Sequence, residues 1–255
     1  MLDIWREKAD IRFGHIDCSD RLTLGSIFSF FQEAAISHAA NLGVGREAMA
    51  SNGQAWILSR MSIFVERRPD YGEAIEISTW PRSWEKLFAF RDYMIKDTEG
   101  KALVCGRSCW LVLDMEKRRP LRVQPIVDPM PQNEGINAFP TNPAGLEPRG
   151  NLEKSSERKA LYSDIDFFGH ANNARYIQWI QDTTDIDILT KADQIRFDIN
   201  YLSEVLPGET IELWTTPIKE SDHDAYYPSR NGPAFAYEGK RPLSDQAAFR
   251  AELYT

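Results

Sequence analysis

Two stretches of the sequence decide the fold, because one repeats the other. Residues 16–33 read IDCSDRLTLGSIFSFFQE, and residues 165–182 read IDFFGHANNARYIQWIQD. At an offset of 149 residues, from Ile16 to Ile165, the isoleucine, the aspartate and the glutamine recur, and the apolar positions between them agree. Self-similarity over such a distance indicates that one structural unit occurs twice in the chain.

A second pair of stretches repeats in the same order. Residues 60–77 (RMSIFVERRPDYGEAIEI) match residues 196–213 (RFDINYLSEVLPGETIEL) without gaps, at an offset of 136 residues from Arg60 to Arg196. Because this offset is smaller than the first, the second copy has a shorter connection between its helix and the following strand. The two matches together predict a tandem duplication.

Each copy reads as a strand, a helix and then several strands. In the first copy, apolar residues recur every three or four positions from Leu24 to Leu42, which predicts a helix that ends at Gly43 and Gly45. In the second copy the equivalent helix is predicted over 173–189. Segments rich in β-branched and aromatic residues predict strands over 57–66, 74–80, 87–96, 103–113, 194–201, 210–218, 225–228, 234–237 and 247–254.

One helix followed by a run of antiparallel strands predicts an α+β hotdog, in which a sheet wraps around a helix. Two copies predict a tandem (double) hotdog, with both helices packed on a long antiparallel sheet. We assign residues 1–119 to the N-terminal hotdog and residues 151–255 to the C-terminal one. Residues 120–150 are rich in proline and asparagine, so they are predicted to be the linker.

Composition and charge narrow the classes of function. The 255 residues are 42% hydrophobic and 27% charged, which is typical of a globular protein. A net charge of −8 argues against nucleic acid as the main partner. No apolar run approaches the roughly 18 residues of a membrane span, and no secretory signal is visible. Three cysteines cannot all pair, so we expect a reducing, cytoplasmic location.

The densest polar cluster is YSDIDFFGHANN, residues 162–173, directly before the second helix. The start of a helix offers N–H groups and a positive dipole end, which stabilise a developing oxyanion. The same letters also fit a structural interpretation, in which Asn172 or Asn173 caps the helix and Gly169 shapes the turn. The residues alone leave both interpretations open.

The chain resembles the acyl-ACP (acyl carrier protein) thioesterase family in several blocks that occur in the right order. DIDFFGHANNARYIQWI is similar to the family motif Asp-x-Asn-x-His-Val-Asn-Asn, and YLSEV at residues 201–205 is similar to its Tyr-x-x-Glu-Cys strand segment. Further similar blocks are FFQEAAISHAANLGVG, WILSRMSIFVERRPDYGE, STWPRSWEKLFAFRDYMI and CWLVLDMEKRRPLRV.

The resemblance implies that the protein hydrolyses acyl-ACP to a free fatty acid and the carrier protein, with no metal and no organic cofactor. It assigns Asp166 to the orienting aspartate, His170 to the motif histidine and Glu204 to the general base on water. It also implies that the N-terminal copy houses the acyl chain. Rival interpretations are an acyl-CoA thioesterase and a non-catalytic protein that binds acyl carriers; a homodimer is left open.

The chain departs from the family motifs at two positions. Phe168 stands at the position of the motif asparagine, so that amide is missing. Either another residue supports the site, with Asn172 and Asn173 as candidates, or the activity is low. Val205 stands where plant members often have cysteine, which excludes a thiol nucleophile there and favours attack by water. The N-terminal copy has Arg21 and Arg68 at the positions of His170 and Glu204, so it lacks the acid–base pair.

Two basic clusters stand out on the acidic chain. They are Arg67-Arg68 and Lys117-Arg118-Arg119. Local positive charge steers an acidic carrier protein even when the net charge is negative. Solvated charges in turns explain the same clusters, and this alternative also stays open.

Overall fold

The computed structural model describes residues 3–219, 232–244 and 246–255. The chain forms two compact units, Met1–Ala144 and Gly145–Thr255, and the boundary between them falls inside the stretch predicted to be the linker. None of the helices in these residues is both long enough and apolar enough to cross a membrane.

Unit 1 has one long helix and a sheet in which every neighbouring pair of strands is antiparallel. The strand order is β1-β3-β4-β5-β2. The short strand β6 pairs with the last residues of β5, beyond the point where the pairing of β5 with β4 ends. In chain order the elements are β1 (Trp5–Asp10), α1 (Leu24–Asn41), α2 (Arg46–Ser51), β2 (Gln54–Val65), β3 (Ala74–Glu85), β4 (Phe88–Lys96), β5 (Ala102–Asp114), β6 (Arg119–Leu121) and α3 (Gln124–Val127).

Helix α1 forms as its periodicity predicts. Thr23 caps its start, where the Thr23 side chain accepts a hydrogen bond from the N–H of Ser26. The apolar face is buried, and the ring of Phe31 stacks on Tyr93 of β4 with 4.7 Å between centroids. The helix ends at Asn41, and Gly43 follows with a φ of 73°, a conformation that favours glycine.

Unit 2 repeats this arrangement with the strand order β8-β11-β10-β9-β7, again antiparallel throughout. Its elements are β7 (Glu153–Lys159), α4 (Asn173–Thr183), α5 (Ile186–Lys191), β8 (Ile195–Tyr201), β9 (Thr210–Pro217), β10 (Ala234–Lys240) and β11 (Ala247–Tyr254). The strand predicted over 225–228 lies outside the described residues.

The prediction of one continuous helix over 173–189 is wrong. Helix α4 stops at Thr183, because Thr184 has extended backbone angles and turns its hydroxyl back to the carbonyl of Ile180. The side chain of Asp185 then caps α5 by accepting the N–H of Asp187. Local capping by polar side chains therefore divides the segment into two helices, although the spacing of its apolar residues predicts one.

Each unit has an ion pair between two neighbouring strands, and these strands are equivalent in the two units. In unit 1, Asp92 of β4 accepts two hydrogen bonds from Arg107 of β5, and both side chains are almost fully buried. In unit 2, Glu238 of β10 accepts a hydrogen bond from Arg250 of β11 at 3.0 Å. The duplication thus extends into strands where the sequence repeat is weak.

The buried pair in unit 1 also anchors the proline-rich segment. Arg107 donates to the side-chain oxygens of Asn137 and Asn142, and the N–H of Ala138 donates to Asp92. Hydrogen bonds to buried charged groups are among the strong ones in proteins. Residues 137–142 are therefore fastened to the sheet of unit 1.

Candidate active site

A closed loop precedes α4 in unit 2 and holds Asp166 and His170. Ile165 forms an antiparallel bridge with Ala171, and the N–H of Asp166 donates to the carbonyl of His170 at 3.0 Å. Gly169 turns the chain between them with a φ of 85°, a left-handed conformation that favours glycine. Backbone hydrogen bonds and the turn at Gly169 thus set the shape of the loop.

Asn172 is the N-cap of α4. Its side-chain oxygen accepts the N–H of Ala174 at 2.9 Å, and its own N–H donates to the carbonyl of Asp164 at 2.8 Å. Two donors at the start of the helix are therefore already used inside the protein. Asn173 is the first residue of the helix, and its carbonyl accepts a hydrogen bond from the hydroxyl of Tyr201 at 3.1 Å.

The carboxylate of Asp166 lies beside the imidazole of His170. Asp166 Oδ1 accepts the N–H of Phe168 at 2.8 Å and is 4.0 Å from His170 Nδ1, which is beyond hydrogen-bond range. Nδ1 is buried and has no hydrogen-bond partner among the described residues. Within these residues no group of three or more His, Cys, Asp and Glu side chains is placed to hold a metal ion.

Phe168 covers one face of the imidazole. Its ring is stacked on His170 with 5.8 Å between centroids and only 7° between planes, and the ring of Phe167 is tilted against it with 4.0 Å between centroids. The side chain of Phe168 is about half exposed, at 49%. An apolar ring therefore stands beside His170, where the family motif has an amide.

The residue after Glu204 is hydrogen-bonded to the residue after His170. The N–H of Ala171 donates to the carbonyl of Val205 at 2.8 Å. This bond brings together two segments more than 30 residues apart in the sequence, each of which carries one of the predicted catalytic residues. Val205 is fully buried, whereas Glu204 is exposed.

The resemblance led us to expect Glu204 on a strand, but it lies outside one. Strand β8 ends at Tyr201, and Glu204 follows in the connection to β9. Arg241 holds this connection: it donates to the carbonyl of Glu204 at 2.5 Å and to the hydroxyl of Ser203 at 2.9 Å. Sequence reasoning missed Arg241, because nothing in its neighbourhood repeats or matches a motif.

Tyr176 of α4 is a second residue that sequence reasoning missed. Burial has the largest effect on its phenol and raises the pKa. The charges of Asp166 and Glu204 also act on this hydroxyl. Comparison of the two copies could have found it, because the equivalent residue in unit 1 is the apolar Ile27.

Unit 1 contains the same loop with equivalent backbone hydrogen bonds. These bonds confirm the residue equivalences given by both sequence offsets. The N–H of Asp17 donates to the carbonyl of Arg21 at 3.0 Å, as Asp166 does to His170. The N–H of Leu22 donates to the carbonyl of Pro69 at 2.8 Å, as Ala171 does to Val205.

An ion pair occupies the position of the predicted catalytic pair in unit 1. Arg68, at the position of Glu204, is 2% exposed and lies 2.5 Å from the carboxylate of Asp17. Burial raises the pKa of Asp17, but hydrogen bonds from Ser19 and Arg68 outweigh it and leave that pKa below its ordinary value. This unit fastens the two segments with opposite charges where unit 2 has Glu204 and Asp166.

The two basic clusters differ in how far their charges are paired within the protein. Arg68 is buried in the ion pair, and Arg67 donates two hydrogen bonds to Glu73, at 2.7 and 2.9 Å. Neither guanidinium is therefore an uncompensated surface charge. The other cluster, Lys117-Arg118-Arg119, is exposed in the turn between β5 and β6.

Comparison with curated proteins finds plant acyl-ACP hydrolases. The acyl-[acyl-carrier-protein] hydrolase FATB1 of Cuphea viscosissima is 26% identical over 257 residues, which cover 94% of this chain and 58% of that protein. The palmitoyl-acyl carrier protein thioesterase of Cuphea hookeriana is 26% identical over 229 residues, 83% of this chain and 54% of that protein. The chain spans a little over half the length of these relatives.

Solved structures and family domains agree with this comparison. An acyl-ACP thioesterase from Bacteroides thetaiotaomicron superposes with a TM-score of 0.84 at 25% identity and covers 98% of this chain and 97% of its own. The 12:0-ACP thioesterase from Umbellularia californica superposes at 0.79 with 19% identity, covering 98% and 92%. The predicted double hotdog fold is confirmed. Residues 3–129 match the acyl-ACP thioesterase N-terminal domain and residues 150–232 the C-terminal domain. The chain belongs to the acyl-ACP thioesterase family.

Proposed function

We propose that this protein hydrolyses the thioester of acyl-ACP, with a free fatty acid and the thiol of the carrier protein as products. Family membership supports the reaction. The observation that carries the site is the hydrogen bond from Ala171 to Val205, because it joins the residues that follow His170 and Glu204. We infer that an acid–base pair on these two segments acts on one substrate carbonyl.

In the proposed reaction Glu204 is the general base. Its exposed carboxylate takes a proton from a water molecule, whose oxygen attacks the thioester carbon. The tetrahedral oxyanion then collapses, the C–S bond breaks, and the departing sulfur takes up a proton. No group on the protein becomes acylated, which agrees with the absence of a thiol at Val205.

His170 and Asp166 complete the proposed site. The imidazole binds the attacking water or the oxyanion, and Asp166, 4.0 Å from Nδ1, favours the ring orientation that this task needs. Because the N–H groups of Asn172 and Ala174 are already used, we assign the remaining oxyanion donor to the first turn at Asn173. Asn172 supports the site as the cap of α4.

The partner and the acyl chain are assigned by the same proposal. We infer that unit 1 houses the acyl chain, since its equivalent positions hold an ion pair and no acid–base pair. The exposed turn at Lys117-Arg118-Arg119 carries the positive charge that would attract an acidic carrier protein. The cytoplasmic location and the homodimer stay predictions.

A non-catalytic acyl-carrier binder is the second candidate, and Phe168 is the observation that favours it. Its ring is stacked over His170 in place of a polar group. A binder would hold acyl-ACP without releasing the thiol. An acyl-CoA thioesterase is the third candidate, and it differs from the first only in the carrier.

A thiol-release assay distinguishes the candidates. Wild type is measured on a panel of acyl-ACPs and on the same acyl groups attached to CoA. Faster release from the carrier protein is expected; faster release from CoA would reassign the substrate. Tight binding of acyl-ACP without any release would establish the binder instead.

The variant Glu204→Gln tests the base. We expect the hydrolysis rate to fall by about 10²–10⁴-fold while acyl-ACP binding is kept, because a positioned base contributes about that factor. Glu153→Gln, an exposed glutamate of β7 in the same unit, is the matched control and should keep the wild-type rate. His170→Ala should lower the hydrolysis rate as well. If only the melting temperature changes, the role of His170 is structural. An unchanged rate in Glu204→Gln would remove Glu204 from the mechanism.

A further inference from the structure

The loops of unit 2 that carry Glu204 and His170 also expose large apolar side chains. Between 46% and 97% of the surface of each of these residues is exposed, and we call the set the apolar rim: Leu161, Tyr162, Phe167, Leu202 and Leu206. A single exposed apolar residue is ordinary, whereas several on neighbouring loops mark a surface that binds a partner or a ligand.

Backbone hydrogen bonds join the segments that carry the apolar rim into one cluster of loops. The N–H of Ala160 donates to the carbonyl of Glu209 at 2.9 Å, and the N–H of Gly208 donates to the carbonyl of Ala160 at 2.8 Å. The bond from Ala171 to Val205 joins the same two segments beside the proposed catalytic residues. The residues of the apolar rim are therefore carried by segments that are neighbours in space.

Unit 1 contains the equivalent loops with a mostly polar surface. The N–H of Ile11 donates to the carbonyl of Glu73, as Ala160 does to Glu209 in unit 2. The exposed residues of unit 1 at the positions of the apolar rim include a single large apolar side chain: Arg12, Phe13, Cys18, Glu66 and Asp70. The hotdog fold therefore forms without an apolar rim, so the fold does not explain its presence in unit 2.

The charges of these loops select the kind of ligand. Residues 160–172 and 202–209 contain no lysine or arginine and four carboxylates, those of Asp164, Asp166, Glu204 and Glu209. The guanidinium of Arg241 is bonded to this cluster, through the hydroxyl of Ser203 and the carbonyl of Glu204. An acidic protein surface or an anionic headgroup would be repelled here, whereas an uncharged ligand would not.

We propose that the apolar rim binds the uncharged arm that connects the thioester to its carrier. This inference rests on the proposed function, which places the thioester carbon at Glu204 and His170. The sulfur of the thioester continues into the pantetheine arm, a chain of methylene, amide and dimethyl groups without charge. Contact with the apolar rim removes apolar surface of both the arm and the protein from water. Because the carrier protein and CoA have the same arm, the apolar rim does not distinguish between them.

The double variant Leu202→Ser, Leu206→Ser tests the proposal. Both leucines are about half exposed, so their replacement leaves the core intact. Two exposed residues outside the cluster are the matched controls: Ile186→Ser at the start of α5 in the same unit, and Phe13→Ser in unit 1, at the position of Tyr162. Thiol release is measured on one acyl group attached to the carrier protein, to pantetheine and to N-acetylcysteamine, which retains only the first part of the arm.

We expect kcat/KM of the double variant to fall by about 5- to 20-fold on acyl-ACP and equally on acyl-pantetheine. A methylene group in a closed apolar pocket contributes about 10- to 200-fold, and a rim that is half open to water contributes less. On acyl-N-acetylcysteamine the double variant should stay within about twofold of wild type, and the two controls should do so on all three substrates.

Other patterns of loss would overturn the proposal. A loss confined to acyl-ACP would show that the apolar rim contacts the body of the carrier protein. A loss on all three substrates would show that the substitutions displace Glu204. No loss at all would exclude contact with the substrate, and binding to phosphatidylcholine vesicles that the double variant lacks would then assign the apolar rim to a lipid surface.

Failure of this inference is separable from failure of the proposed function. A wild-type protein that releases thiol, with a double variant that is equally active, would refute the role of the apolar rim alone. A wild-type protein that releases no thiol would refute the hydrolase. Calorimetry with an S-alkyl pantetheine thioether, which cannot be hydrolysed, would then test the apolar rim by itself: weaker binding by the double variant supports the proposal, and equal binding overturns it.

Discussion

Replacing Arg68 with methionine tests how unit 1 is held together at the position where unit 2 has its proposed base. Arg68 joins the loop around Asp17 to the segment after β2 through a contact of 2.5 Å, and it is 2% exposed. Methionine is long, flexible and apolar, so it fills much of the same space without the charge. The variant therefore removes the ion pair and leaves most of the packing.

The expected loss follows from the surroundings of Asp17. Removing one partner of a buried ion pair costs about 3–5 kcal/mol, because the other charge stays buried. Asp17 keeps two hydrogen bonds from Ser19, at 2.8 and 2.6 Å, and its side chain is 19% exposed. We therefore expect a smaller loss, about 2–3 kcal/mol. For a chain of this size that corresponds to a drop of about 4–12 °C in melting temperature.

The loss should depend on pH. The folded state lowers the pKa of Asp17, so its contribution to stability is present above the pKa of the unfolded chain, about 3.9, and disappears as the pH falls through the folded value. The difference in melting temperature between wild type and Arg68→Met should thus be full at pH 7 and shrink below about pH 4.

Thermal unfolding at pH 7 and below about pH 4 measures the loss of stability in Arg68→Met. Arg67→Met is the control. The pair of Arg67 with Glu73 is more exposed, so its loss should cost at most about 1 kcal/mol. The double variant with Asp17→Asn should recover part of the stability, because it leaves no unpaired buried charge. Equal melting temperatures for Arg68→Met and Arg67→Met, with no dependence on pH, would show that the reasoning about the buried pair is wrong.

Two further predictions concern the substrate. Phe168→Asn should raise turnover or leave it intact, because it restores a polar group beside His170, and its half-exposed ring should cost less than about 1–2 kcal/mol when lost; a large drop in thiol release would show that the ring itself is needed. The triple variant Lys117→Ser, Arg118→Ser, Arg119→Ser should raise KM for acyl-ACP by about 3- to 10-fold at low salt. KM for an uncharged acyl-N-acetylcysteamine thioester should not change, and a parallel rise there would exclude a role in carrier attraction.

Local patterns in the sequence predict the helices, most of the strands and the two loops that precede the long helices. The spacing of apolar residues determines α1, and the constant offset between the copies predicts that Asp17 and Asp166 stand in equivalent loops. Such features depend on neighbours within a few residues, so a pattern suffices. The break at Thr184 shows where this fails, because one capping side chain decided against the apolar periodicity.

The sequence by itself determined the duplication, the family and the identity of the residues proposed to act, since each of these is a comparison of letters. The tertiary structure decided which of them meet. That Ala171 bonds to Val205 and that Arg68 is buried against Asp17 both depend on packing between segments distant in the chain. No local propensity encodes such contacts, because the free energy that selects them comes from burial of the whole core.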